Sequence, residues 1–293
     1  MASKASFLVR FGASAMVFIC LHANAWAWGQ EGHSIIAEIA QRRLSPSAAA
    51  EVARLLGSGH SLAAIGSWAD DVRDERPETY NWHFVDIPLD RTRYDPAADC
   101  KADAKGDCVV AELERLREAL RCAGTDDEKR DALKFAVHFV GDIHQPLHTV
   151  FEEVGGNTLQ VTVNTHGSLM CKGKPCAASP FHMNFHAFWD KAVITKTTWD
   201  WGAYVDRLES GWLKTVDPAR NLDGGTFVDW AEGTHAAAQT IWNLLPQDYV
   251  LDDAYYQAVL PIADKQLGLA GIRLARMLNE AYASRQCPRG ASN

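Results

Sequence analysis

A repeated pair constrains this chain more than any other feature: His138 with Asp142, and His186 with Asp190, each four residues apart. On a helix, positions i and i+4 share a face, with roughly 5–6 Å between their Cβ atoms. A fold that uses both pairs presents two helical segments, each offering an imidazole and a carboxylate. Those are nitrogen and oxygen donors that zinc accepts. One such pair arises often by chance in an ordinary helix. Two pairs, with His148 just beyond the first, point to a site for more than one metal ion.

The first residues bear on where such a site would work. Lys4 and Arg10 form a basic start, and residues 11–21 form an apolar stretch too short to span a bilayer. Ala25-Trp26-Ala27 has the pattern of a signal-peptidase site. Residues 1–27 are therefore expected to leave as a signal peptide, and residues 28–293 to form one domain, exported to a secreted or periplasmic location without a membrane anchor. An uncleaved anchor is the competing reading, but no stop-transfer pattern follows. Cleavage would free the α-amine of Trp28, whose unperturbed pKa of about 7.7–8.0 allows it to give its proton up to a metal. With the Trp28 carbonyl it would close a five-membered chelate ring, and His33 lies five residues on. Without a metal, a frayed terminus is the ordinary expectation.

The full sequence carries a net charge of −8. Loss of Lys4 and Arg10 leaves 27 basic against 37 acidic residues, or −10. That argues against binding nucleic acid through a broad basic surface. It does not argue against a nucleic-acid enzyme, because clustered zinc makes one strongly positive spot that can hold a phosphate. Six cysteines remain after residue 27, an even count that suggests disulfides in an exported protein. Cys100–Cys108 and Cys171–Cys176 are the natural local pairs, leaving Cys122–Cys287, although six cysteines permit many connectivities. A cysteine zinc site is the rival, but no C-x-x-C pair occurs.

Apolar spacing predicts a mainly α-helical fold, with helices over 31–43, 46–57, 108–123, 126–145, 181–193, 226–244 and 252–282. Pro46 suits a helix start and Gly57 a stop, Asp126 and Asp127 suit a helix N-terminus, and Pro146 ends the helix that carries His138. Residues 157–163 alternate like a strand, with a short hairpin to follow. Residues 89–107 read as a polar surface loop. There is no internal repeat, low-complexity tract or linker.

Two further segments hold candidate ligands. Trp68-Ala69-Asp70-Asp71-Val72-Arg73 puts carboxylates beside a cation, and Trp82-His83-Phe84-Val85-Asp86 puts a histidine in an apolar stretch. Taken singly, Asp70 reads as a cap or ion pair and His83 as a hydrogen-bonded core histidine. His144, His166 and His182 have no placed partner and read as structural or exposed.

In order, Trp28 after the A-x-A site, His33, WAD at 68–70, WHFVDIP at 82–88, HFVGDIHQPLH at 138–148, VGGN at 154–157 and NFHAFWD at 184–190 are specific enough to name a family. The chain resembles the zinc-dependent single-strand nucleases of the S1/P1 type, as a bacterial-like member. The resemblance runs from Trp28 to Asp190, and the helical remainder is compatible with it. It implies a single-domain helical fold shared with zinc-dependent phospholipase C, with a short β-hairpin and three zinc ions in a cleft. Carried onto this sequence, one zinc would be held by Asp70, His83, His138 and Asp142. A second would be held by the Trp28 amine and carbonyl, His33 and a bridging Asp142, and the third by His148, His186 and Asp190. Phe84, Asp86, Val154 and Asn157 would surround a nucleobase, and Arg73 would approach the phosphate. Asp71 would not ligate. The long segment between His148 and His186, with Cys171 and Cys176, is a departure that bears on substrate preference.

The implied activity is endonucleolytic hydrolysis of single-stranded DNA and RNA to 5′-phosphorylated products, with 3′-nucleotidase activity, by a monomer. Asp70 would orient or deprotonate a water whose pKa zinc lowers to about 7. The third zinc and Arg73 would stabilise the charge that develops on the phosphoryl and leaving oxygens. A base must leave its stack to sit on Phe84, which favours strands already unpaired; base–aromatic stacking contributes about 1–3 kcal/mol. Two competitors stay open at this point. One is a phospholipase C-like phosphodiesterase on the same fold, which needs a lipid-headgroup pocket. The other is a non-catalytic zinc protein, which needs a closed coordination shell.

Overall fold

The computed structural model describes residues 28–164, 170–171, 174–175, 180–216 and 220–283. Seven helices dominate it: α1 (Gln30–Gln41), α2 (Pro46–Leu56), α3 (Val109–Cys122), α4 (Asp126–Asp142), α5 (Trp201–Ser210), α6 (Phe227–Asn243) and α7 (Asp253–Ala283). Their starts have local causes. Pro46 follows the Ser45 cap, whose side chain accepts from the Ala48 N–H. Thr125 and Glu128 form a reciprocal capping box ahead of α4, and Thr226 and Asp229 form another ahead of α6. Each satisfies two backbone donors that a helix start would otherwise leave open.

α1 lies along the long α7, with Ile35, Ile36 and Ile39 fully buried. α3 packs on α4, and Phe135 stacks on Phe139 at 5.3 Å between centroids. Each such buried side chain contributes about 1.5–3 kcal/mol relative to exposure. This packing holds the second half of α4 at the centre of the molecule, where everything from Leu133 to Thr149 except Lys134 is buried or nearly so. His138 and Asp142, the first of the two i,i+4 pairs, are therefore built into the core. Among the described residues no helix is long and apolar enough to cross a membrane.

The strand expected at 157–163 forms as β1 (Gln160–Asn164). It pairs antiparallel with β2 (Phe181–Asn184) and parallel with β3 (Val250–Asp252). This corrects the helix read over 181–193. Phe181, Met183 and Phe185 also alternate, and in place residues 181–184 add to β1. Helix begins only at Phe185, where the Asn184 side chain accepts from the Ala187 N–H at 2.7 Å. The chain then widens into a π-helical turn over Phe188–Ala192 before Val193–Thr197. α4 stops at Asp142, and Pro146–Thr149 forms a separate 3-10 turn. α5 falls in none of the segments that the apolar spacing marks as helical. The 89–107 segment is mostly loop, with one helical turn at Pro96–Asp99.

Cys100 and Cys108 form the expected disulfide. Cys122 is also disulfide-bonded. Its expected partner Cys287 lies outside the described residues, as do Cys176, His166 and the expected signal peptide 1–27.

Candidate metal centre and cleft

Asp142 is the hub. Its Oδ1 is 3.4 Å from His33 Nε2, while its Oδ2 is 2.9 Å from His83 Nδ1 and 3.3 Å from His138 Nε2. Its two oxygens thus face two sets of nitrogens. Asp70 Oδ1 completes one set, 3.7 Å from both His83 Nδ1 and His138 Nε2. The His33 and His138 rings stack at 3.9 Å. A third cluster holds His148 and His186, with Nε2 atoms 3.1 Å apart, and Asp190, whose Oδ2 is 3.5 Å from His186 Nε2. Among the described residues, the ligand atoms lie within 4.8 Å of one another in three groups: His33, His138 and Asp142; Asp70, His83 and His138; and His148, His186 and Asp190.

The side chains are oriented by their far ends. His138 Nδ1 donates to the Gly66 carbonyl at 2.8 Å, His148 Nδ1 to the His83 carbonyl at 2.6 Å, and His186 Nδ1 to the Gly155 carbonyl at 2.6 Å. Each bond fixes a tautomer whose Nε2 lone pair points into its cluster, as backbone partners of metal-binding histidines do. Gln145 Nε2 donates to Asp190 Oδ1 at 2.6 Å. The Gly29 N–H donates to the Asp190 carbonyl at 2.9 Å. That bond ties the residue next to buried Trp28 to the third cluster.

The electrostatics call for cations. Both nitrogens of His33, Nε2 of His83, Oδ1 of Asp70 and Oδ1 of Asp142 are buried without a hydrogen-bond partner. Burial of this kind is costly unless something satisfies the atoms. Burial lowers His33 to about 4, His83 to about 3 and His186 to about 3, so these imidazoles are neutral donors. Burial would lower His138 too, but the Asp142 and Asp70 carboxylates outweigh it and push His138 up to about 9. Despite its burial, Asp142 is held well below the usual carboxylate range, chiefly by His138. Without a metal, a proton on His138 supplies the positive charge. At the third cluster two neutral Nε2 lone pairs face each other, an arrangement that a cation between them reconciles. The donor set fits metal, and zinc in particular.

A cavity of about 410 Å³ adjoins these clusters. All four residues expected to bind a base line it: Phe84, Asp86, Val154 and Asn157, together with His83, His148 and His186. Arg73 lines it as well, with Nη1 3.9 Å from Asp70 Oδ1. Val154 is 67% exposed and takes φ +54°, a left-handed conformation rare for a β-branched residue. Asp71 points to solvent. His182 is exposed and bonds Thr162, while His144 is a core histidine between the Val140 carbonyl and Arg273. Sequence reasoning missed Gln145, Gly66, Tyr80 and Phe151. Tyr80 and Phe151 are exposed aromatics at the cleft, and no periodicity marks them.

The fold is mainly helical, and His83, His148 and His186 bring two of the donor groups to an aromatic-lined cleft, a site of the kind that suits a metal-dependent hydrolase. The comparisons with known proteins sharpen this. The model of the S1/P1 Nuclease family matches residues 28–283. Endonuclease 2 of Arabidopsis thaliana is 30% identical over 294 residues, covering 88% of this chain and 92% of that protein. Nuclease P1 of Penicillium citrinum is 28% identical, covering 88% and 98%, and nuclease S1 of Aspergillus oryzae is 25% identical, covering 89% and 94%. The chain belongs to the S1/P1 nuclease family. It is a hydrolase of the phosphodiesterase type, and metal dependence, with zinc, goes with that family.

Proposed function

We propose that residues 28–293 form an exported, monomeric endonuclease loaded with three zinc ions. It hydrolyses single-stranded DNA and RNA to 5′-phosphorylated products and also acts on 3′-nucleotides. The observation that carries this reading is the meeting of two features in one cavity: clustered His/Asp donors with unpaired buried atoms, and an aromatic-plus-carboxyl-plus-amide wall. Asp70, His83, His138 and Asp142 would hold one ion. The Trp28 amine and carbonyl, His33 and Asp142 would hold the second, and His148, His186 and Asp190 the third. Bound zinc supplies an acidic water and positive charge for the phosphate oxygens.

The chain's own groups do the rest. Asp70, beside the attacking water, would orient it or take its proton. Arg73 would stabilise charge on the phosphoryl oxygens as the water oxygen bonds phosphorus and the P–O3′ bond breaks, with O3′ taking its proton from solvent water. Phe84 stacks on a base that has left its neighbours, and Asp86 and Asn157 bond its edge.

The test is metal analysis coupled to activity. The processed chain, purified with zinc present, is expected to hold about three equivalents, in line with multi-zinc phosphodiester chemistry. It should cut single-stranded DNA and RNA and leave phosphatidylcholine intact. Asp142→Asn keeps the shape but removes the shared anion, and should lose two ions and nearly all activity; Asp71→Asn should be close to unaltered. Full activity after exhaustive chelation, or equal damage from both substitutions, would overturn the assignment.

A further inference from the structure

Beside the cleft, the Cys100–Cys108 disulfide closes a loop against the 3-10 turn Pro77–His83. The loop is pinned there by backbone and side chain together. The Asn81 N–H donates to the Lys105 carbonyl at 2.8 Å, and Asn81 Nδ2 donates to the Gly106 carbonyl at 3.2 Å and to Asp103 Oδ1 at 3.1 Å. The same Asp103 oxygen accepts from the Lys105 N–H at 2.6 Å. Gly106 takes φ +101° and packs so closely that a Cβ would lie 2.6 Å from Trp82 Nε1 and 2.7 Å from the Glu78 carbonyl. Only glycine fits this position, so the loop has one seat.

That seat fixes Lys105. Its ammonium stands 4.8 Å from the centroid of Tyr80, and the Arg73 guanidinium stands 4.2 Å from the same centroid. Tyr80 is 42% exposed and lines the cleft with Arg73. Lys105 is exposed and makes no ion pair among the described residues. Of the neighbouring carboxylates, Glu78 pairs with Arg76 and Asp107 with Arg115, while Asp103 accepts from Asn81 and from the Lys105 backbone N–H. On a chain of net negative charge, an exposed lysine held over the same aromatic ring that the Arg73 of the cleft contacts stands out as a place for an anion.

We propose that Lys105, seated by Tyr80 and the disulfide loop, is a second phosphate subsite, which binds the phosphodiester next to the scissile one in a polynucleotide strand. This rests on the nuclease reading above and adds to it a device for preferring polymers over mononucleotides. A 3′-mononucleotide has no second phosphate and does not reach Lys105. A strand bound at Arg73 does, because two cations around one ring can meet neighbouring phosphates.

Steady-state kinetics on the zinc-loaded protein tests it, with a short oligothymidylate and 3′-adenylate as paired substrates. Lys105→Ala should lower kcat/KM on the oligomer about fivefold at low salt and make its salt dependence shallower by about 0.7 in log–log slope, the loss of one single-strand phosphate contact. Turnover of 3′-adenylate should be unchanged, and Lys105→Arg should restore the oligomer rate. If Lys105→Ala matches wild type on the oligomer, or loses equally on both substrates, the subsite is refuted while the nuclease reading stands. If the wild-type protein cuts neither substrate, the nuclease reading fails and the subsite falls with it.

Discussion

Burial, together with the nearby Asp99 carboxylate, pushes Asp86 up to about 6 in the wall of the cleft. Below that pH the side chain carries a proton and can donate to a ring nitrogen such as adenine N1. Above it the carboxylate only accepts, and suits the N–H donors on the Watson–Crick edge of guanine. Cleavage next to guanine, relative to adenine, should therefore rise several-fold between about pH 5 and pH 7, the interval that brackets this titration. Product mapping on a mixed-sequence single strand measures the ratio, which cancels any common effect of pH on metal loading. Asp86→Asn should flatten it, and a ratio with the same pH profile in both proteins would exclude Asp86 as the reader. At this scale the sequence showed Asp86 but not its proton affinity, since Asp99 approaches only through the fold of the 89–107 loop. The His/Asp pairs were legible because a four-residue spacing is a local property. Gln145 was not, because its bond to Asp190 joins segments 45 residues apart.

At the scale of the element, α4 shows how a helix is shaped to present candidate ligands. Its start follows from Thr125 and Glu128, and its second half from the apolar run around His138. Gly141 stands next to Asp142, and a Cβ there would lie 2.7 Å from His33 Nδ1 and 2.8 Å from His33 Cε1. Alanine in a helix interior normally gains about 1 kcal/mol over glycine. Here the imidazole is fully buried and stacked on His138, so it has no room to move aside. Gly141→Ala should keep the helical circular dichroism yet lose about one equivalent of zinc and at least tenfold in activity, as expected when a first ligand is displaced. Unaltered zinc content and rate would show that His33 is free to shift. The strand at Phe181–Asn184 marks the limit of reading elements from spacing. Its apolar residues fit both periods, and the pairing with β1 decided between them.

For the whole molecule, the decisive prediction concerns the proposed start of the processed chain at Trp28. Trp28 is fully buried, edge-on to Trp189 at 6.5 Å, and its neighbour Gly29 bonds Asp190. If the α-amine is a ligand, a Met-Gly-Ser extension before Trp28 turns it into an amide with no lone pair for zinc. The extended protein should fold, since the helical core is untouched, but hold one zinc fewer and lose most turnover; proteolytic removal of the extension should restore both. Mass spectrometry confirms the state of the terminus, and equal zinc content and rate in the two forms would refute the amine ligand.

What the sequence determined by itself was local and periodic: the helices, their caps, the two i,i+4 pairs, and the ordered motifs that revealed the family. Only the tertiary structure decided what depends on distance in space. It brought His33, Asp70 and His83 from separate segments onto Asp142, aimed His138, His148 and His186 through distant carbonyls, turned residues 181–184 into strand, and seated Lys105 on Tyr80. The physical reason is that periodicity fixes which face of an element is apolar. Which faces meet, and so which donors and charges converge, is set by packing the elements around one core.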